Sequence, residues 1–233
     1  MTPYYEQNGI TIYHGDCREV LPNLPAADLV LTDPPYGIKQ GAAFVRGKLL
    51  EISSGKQGAW NDNFGWDWAD LINSKPGSNW AVFSKREDGL PRDLEEWHRF
   101  YLVKKSSPPT PRPVFVSSVE QCLIGRTPGP SRWFGSGWVL NHWYGLTPKR
   151  LNDCNQTGHP AEKPVEAISI LCSCLCDDGE LVVDPFVGSG TSLVAAKRLG
   201  RRAIGIEIEE RYCEIAANRL AQGVLFGAQG ATP

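Results

Sequence analysis

Glu180-Leu-Val-Val183, Asp184-Pro-Phe-Val-Gly-Ser-Gly-Thr191 and Ser192-Leu-Val-Ala-Ala-Lys-Arg-Leu199 follow one another without a gap and stop at Gly200. The first piece is a short apolar run that reads as a buried strand. The second turns on two glycines, and the third has helical composition ended by a glycine stop. Ala203-Ile-Gly-Ile206 then reads as another strand, ending at Glu207. Strand, turn, helix and strand in that order form the repeating unit of an α/β chain. The expectation is a doubly wound, mostly parallel, Rossmann-like sheet.

The glycine turn also has chemical content. Gly188 and Gly190 let backbone approach a ligand with no side chain in the way. An acid roughly 20 residues past such a turn, at the next strand's tip, suits the two hydroxyls of a ribose, and Glu207 holds that place. The turn is neither the dinucleotide GxGxxG nor a P-loop with Gly-Lys-Ser/Thr. With Asp184 at its head it offers a carboxylate instead of a phosphate cradle. That favours a cationic adenosine ligand without phosphates, a description S-adenosylmethionine fits.

Working outward, Asp28-Leu-Val-Leu-Thr32 leads into Asp33-Pro34-Pro35-Tyr36. A carboxylate, two stiff prolines and an aromatic ring at a strand's end can hold a planar amine. The carboxylate and a proline carbonyl accept the amine's hydrogens, and the ring stacks on the heterocycle. Other segments are read by pattern. Ile10–Tyr13, Trp80–Phe83 and Val119–Ile124 are expected strands. A helix-sized turn should run through Leu24, and Phe64–Asn73, Asp93–Phe100, Lys163–Cys176 and Glu209–Leu220 are expected helices. Residues 37–65 read as a long mobile loop carrying Lys39, Arg46, Lys48 and Lys56, and 222–233 as a flexible tail.

With both motifs in this order, the chain resembles the amino-methyltransferases of DNA, in the permuted β group whose DPPY element precedes the cofactor loop. The resemblance takes in Gly15-Asp16-Cys17, His159-Pro-Ala-Glu-Lys-Pro164 as an HPxxKP element, and Lys104-Lys-Ser-Ser-Pro-Pro109 with Glu120 following. It implies S-adenosylmethionine as cofactor, no metal, and direct methyl transfer to a base flipped from double-stranded DNA. Asp33, Pro34, Pro35 and Tyr36 would be the catalytic residues. Asp16, His159, Lys163, Asp184, Pro185, Phe186, Gly188, Ser189, Gly190, Thr191 and Glu207 would line the cofactor site, with Asp16 near the adenine and Lys163 on the pocket's rim. In the family an Asp at the first motif position goes mostly with adenine and a Ser with cytosine. The 6-amino group of adenine is therefore the expected target. The same cradle would serve the 4-amino group of cytosine, and a catalytically silent DNA-binding module is the alternative of another class. A homodimer and a cognate restriction endonuclease are compatible partners.

Composition places the remaining functions. The formal net charge of −2 does not suggest a nucleic-acid protein, but residues 104–150 hold seven basic residues against the single acid Glu120. Trp133, Phe134, Trp138, His142, Trp143 and Tyr144 lie among them. Basic and aromatic residues interleaved in this way suit phosphate contacts and base stacking. Residues 104–150 are therefore expected to form a target-recognition region within one methyltransferase domain, with Arg126, Arg132, Lys149 and Arg150 on DNA. A satellite core of buried aromatics is the competing account. No apolar run reaches membrane-spanning length, and the N-terminus lacks the features of a signal peptide. The seven cysteines, an odd number, fit a reduced cytoplasmic protein. Cys172, Cys174 and Cys176, two apart on a helix, would point in different directions and could not converge on one ion.

Overall fold

Alternation of apolar side chains along each strand decides which layer it packs against. In β3 (Ala27–Thr32), Leu29 and Leu31 join one core cluster while Val30 joins the other. In β6 (Ser74–Phe83), Ala81 and Phe83 face the first layer, Trp80 and Val82 the second. That two-residue period, with both faces apolar, is the mark of a sheet covered on both sides. The structure, a computed structural model, describes residues 1–35, 42–45, 48–51, 66–84, 98–104, 119–130, 132–135, 141–145 and 162–222.

The remaining strands are β1 (Tyr5–Gln7), β2 (Ile10–His14), β7 (His98–Lys104), β8 (Val119–Arg126), β9 (His142–Gly145), β10 (Leu181–Asp184) and β11 (Arg202–Glu207). Their spatial order is β1-β2-β11-β10-β3-β6-β8-β7-β9. Parallel pairing joins β2, β11, β10, β3 and β6, while β1 and β8 run against their neighbours. A separate hairpin of β4 (Ala42–Val45) and β5 (Lys48–Glu51) falls within the segment expected to be a loop. The rest of 37–65, and 223–233 of the expected tail, lie outside the described residues.

Helices α2 (Val165–Leu175), α3 (Thr191–Arg198) and α4 (Glu210–Ala221) cover one face. The short α1 (Cys17–Val20) and the 3-10 turns Leu21–Asn23 and Trp66–Leu71 lie on the other side. α3 starts directly after Gly190, whose φ is 83°, and a Cβ there would sit 2.7 Å from that of Ala216 in α4. Only glycine combines that backbone with so close an approach. Lys197 and Arg198 in α3's last turn complement its dipole.

The expected helix over Asp93–Phe100 changes at its end. Residues 98–100, expected to end a helix, begin strand β7, where buried Phe100 and Leu102 alternate with more exposed neighbours. Residues 93–97 lie outside the described set. Of the segment 104–150, the described strands β8 and β9 belong to the main sheet, β8 between β6 and β7 and β9 at the edge beside β7.

Candidate active site

The winding of the chain reverses between the parallel neighbours β10 and β3. From β10 the chain winds through α3 to β11 on one side, and from β3 it passes to β6 on the other. A crevice at such a switch point, beyond the strands' carboxyl ends, is where open α/β sheets take ligands. Asp184 ends β10 and Asp33 follows β3, so two motifs far apart in the chain meet across neighbouring strands.

Asp184 is 4% exposed and firmly held. Thr32 Oγ1 donates to its Oδ1 at 2.7 Å, Phe186 N–H to the same oxygen at 3.0 Å, and Ser192 Oγ to Oδ2. Burial pushes its carboxyl up to about 6, against these three donors, and the charge of Asp33 adds to the rise.

Asp33 is paired with Lys163, whose ammonium donates to Asp33 Oδ2, lies 3.5 Å from Glu120 Oε2 and sits over the Phe83 ring at 5.1 Å. Burial pulls the Lys163 ammonium down, but the two carboxylates outweigh it and its pKa is raised. Lys163, expected on the rim of the cofactor pocket, has its charged end on the expected catalytic carboxylate. Pro34 is buried and Pro35 partly so. Tyr36 lies outside the described residues.

On the other side of the switch point the glycine turn folds over β11. Val187 N–H donates to Ile206 O at 3.0 Å. Glu207, 4% exposed, accepts from Gly188 N–H at 2.8 Å on one oxygen and from Glu209 N–H at 2.9 Å on the other. Burial raises its pKa despite those bonds. Gly15 N–H donates to Glu207 O at 2.9 Å, bringing the tip of β2 alongside. There Asp16 caps α1 through Arg18 N–H at 2.9 Å and accepts from the Arg18 guanidinium, which holds its carboxyl below the ordinary value. Pro185 and half-buried Phe186 start the turn. Ser189 and Thr191 are buried in it beneath Arg219 of α4.

Not every expected site residue joins this edge. Arg132 lies at the opposite, amino edge of the sheet, where it bonds Asp28 at the start of β3 at 3.0 Å and pairs with Glu180 before β10. Arg126 pairs across to Asn79, near that same edge, and its guanidinium donates to Gly129 O. Buried Asp28 draws Arg132 inward, and β8's reversed direction carries Arg126 to the edge opposite the crevice. His159, Lys149 and Arg150 lie outside the described residues.

Four residues at the edge had no assigned role in the sequence reading: Thr32, Glu120, Ile208 and Arg219. Ile208 is 54% exposed directly after Glu207, a large apolar residue at a strand tip that composition alone could have singled out. Glu120 sits at the carboxyl edge because β8 runs in reverse, and Arg219 acts at long sequence range. Neither has a local signal.

The sequence profile of the N6/N4 amino-methyltransferases, described as DNA methylase, matches residues 81–218. A type II methyltransferase of Lactococcus lactis subsp. cremoris, M2.LlaDCHI, is 27% identical over 263 aligned residues. The alignment covers 97% of this chain and 94% of that one. The crystal structure of an M1.HpyAVI–SAM complex superposes with a TM-score of 0.64 at 24% identity, covering 91% of this chain and 98% of the other. The PvuII DNA methyltransferase, described as cytosine-N4-specific, superposes with a TM-score of 0.67 at 21% identity, over 96% and 90%. At these identities the two structures establish the shared fold.

Proposed function

Because the chain belongs to the N6/N4 amino-methyltransferase family of DNA methylases, we propose that it transfers a methyl group from S-adenosylmethionine to the 6-amino group of an adenine turned out of duplex DNA. The observation that carries this reading is that parallel pairing of β3 with β10 brings Asp33 and Asp184, one at the head of each motif, to the same carboxyl edge at the switch point. Asp33 as the first motif residue favours adenine over cytosine.

The residues of the edge fit the cofactor. Glu207 accepts backbone N–H groups from Gly188, Ile208 and Glu209, and its carboxylate keeps acceptor capacity for a ribose hydroxyl. Ile208 presents an exposed apolar surface next to it, suited to a heterocycle. Asp184 supplies carboxylate density where a sulfonium would lie. When bound, S-adenosylmethionine would supply an electrophilic methyl group, its sulfur–methyl bond breaking with the electron pair kept on the departing thioether.

The chain's own part is to hold the acceptor. Asp33 and the carbonyl of Pro34 accept the amine's hydrogens and draw the nitrogen toward a pyramidal geometry, so its lone pair is less tied to the ring. Tyr36 stacks on the base and replaces part of the stacking lost on extrusion. The nitrogen becomes acidic only as its new bond to carbon forms, and its proton then passes to Asp33 or to solvent. No covalent intermediate on the enzyme is needed, so most of the acceleration comes from alignment.

The test is to incubate the protein with S-adenosylmethionine and unmethylated DNA, then identify modified nucleosides by mass spectrometry. N6-methyladenosine as the deoxynucleoside is expected. The 4-amino product of cytosine would overturn the base, and no product would overturn the activity. Asp33→Ala should remove the product while calorimetry still shows cofactor binding. Loss of binding in a folded variant would mean the two sites are interchanged.

A further inference from the structure

Arg219 of α4 joins two segments that are distant in sequence. Its Nη1 donates to Ser189 O at 2.6 Å, to Ser189 Oγ at 3.1 Å and to Thr191 Oγ1 at 3.3 Å, all in the glycine turn. Its Nη2 pairs with Glu162 Oε1 at 2.9 Å. The Glu162 side chain is 2% exposed and that of Arg219 18%. Glu162 immediately precedes Lys163, whose ammonium holds Asp33 and approaches Glu120. One guanidinium fork therefore fixes the turn with one nitrogen and the lead-in to α2 with the other. Through Glu162 it also sets the residue beside Asp33.

We propose that Arg219, together with Glu162, is the positioning pair that preorganises the glycine turn for S-adenosylmethionine and registers that turn against the Lys163–Asp33 pair. This rests on the reading of the turn as the cofactor loop. Arg219 and Glu162 touch neither the methyl donor nor the base. Their action is to hold Ser189, Thr191 and Lys163 in the bound arrangement before the ligand arrives, so that binding does not have to order them. The fork geometry matters because two separate sets of acceptors must be met at once, which a single ammonium cannot do as well.

A positioning pair of this kind acts on cofactor affinity more than on turnover. The experiment measures S-adenosylmethionine binding by calorimetry, KM for cofactor and for DNA, kcat and the melting temperature. The proteins are the wild type, Arg219→Ala, Arg219→Lys and Glu162→Gln. Arg211→Ala is the control, since Arg211 lies on the same helix with its guanidinium over the Tyr212 ring and donating to the Tyr212 hydroxyl at 2.7 Å. Arg219→Ala should weaken binding and raise the cofactor KM about tenfold or more, with kcat at saturation within about threefold. The KM for DNA should stay put, Arg219→Lys should recover part of the loss, and Arg211→Ala should bind as the wild type does. If Arg219→Ala binds with wild-type affinity, or loses kcat at unchanged affinity, the proposal is overturned. If that variant does not fold, unchanged affinity in both Arg219→Lys and Glu162→Gln overturns it equally. A wild-type chain that does not bind S-adenosylmethionine sinks the cofactor reading itself, a result distinct from any variant effect.

Discussion

Asp184 is a carboxylate that folding makes harder to ionise. Its pKa rises from 3.8 to about 6, chiefly by burial. Well below its ordinary value of 3.8 it is protonated in both folded and unfolded chains and contributes no difference. As pH climbs through 4 to 6 the unfolded chain ionises first, so stability falls, and above about 6 the full penalty is in place. That penalty is about 3 kcal/mol for a shift of this size. Asp184→Asn should therefore gain stability relative to the wild type between pH 4 and 6 and hold the gain above pH 7. Urea unfolding at each pH measures this, and a pH-independent difference would count against it. Retaining so costly a group fits a site that needs the charge. At this scale the sequence was informative where function is packed into adjacent residues. Asp33, Asp184, Gly190 and Glu207 stand out because prolines, glycines and acids cluster around strand ends. Glu120 and Arg219 do not, because their partners lie on other strands and helices and no local pattern marks them.

Among elements, the amino edge of the sheet is closed by one buried carboxylate. Asp28, 2% exposed, accepts from Lys75 Nζ at 2.7 and 2.8 Å, from Leu181 N–H at 3.0 Å and from Arg132. It thereby ties β3, β6, β10 and the segment after β8 together. Phe134 N–H to Cys174 O at 2.9 Å, and Asn79 Nδ2 to Arg132 O and Leu175 O at 2.7 Å, fasten the same segment to α2. Arg132→Ala should cost about 1–3 kcal/mol of stability, since it leaves buried charge undercompensated. It should leave the salt dependence of DNA binding unchanged. A shallower salt slope at wild-type stability would restore Arg132 to the DNA surface. Strands β2, β3, β10 and β11 were readable because each is a short apolar run ending at a motif. Strand β7 was misread because His98-Arg99-Phe100-Tyr101-Leu102 mixes large polar and aromatic residues. Its period of two emerges only against β8. The edge strands β1 and β9 were missed because each is short, three and four residues, and only partly buried.

For the molecule as a whole, the sheet's order fixes what each half of the chain can do alone. β2 and β3 come early in sequence and do not pair with each other. β11 and β10 fill the space between them, Ile12 opposite Gly205 and Leu29 opposite Val182. A chain ending at Gly179 lacks β10 and β11 and leaves Ile10, Ile12, Leu29 and Leu31 without the neighbours that bury them. It should show no cooperative urea transition by circular dichroism, where the full chain shows one. A cooperative transition in the shortened chain would mean that β2 and β3 can close the gap themselves. The doubly wound class was evident from the alternation of strands and helices, and the crevice from the switch-point rule. The sheet order was not, because it is set by long-range pairing between chain ends that no single segment encodes.

That central gap has a consequence for how the protein is made. Synthesis proceeds from the N-terminus, and early segments ordinarily begin to fold while later ones are still in the ribosome. Here the emerging β2 and β3 must wait, with their apolar edges unpaired, until β10 and β11 have left the exit tunnel. The same strands that complete the sheet also carry Asp184 and Glu207. Emergence of β10 and β11 therefore completes the sheet and brings Asp184 and Glu207 to its carboxyl edge together.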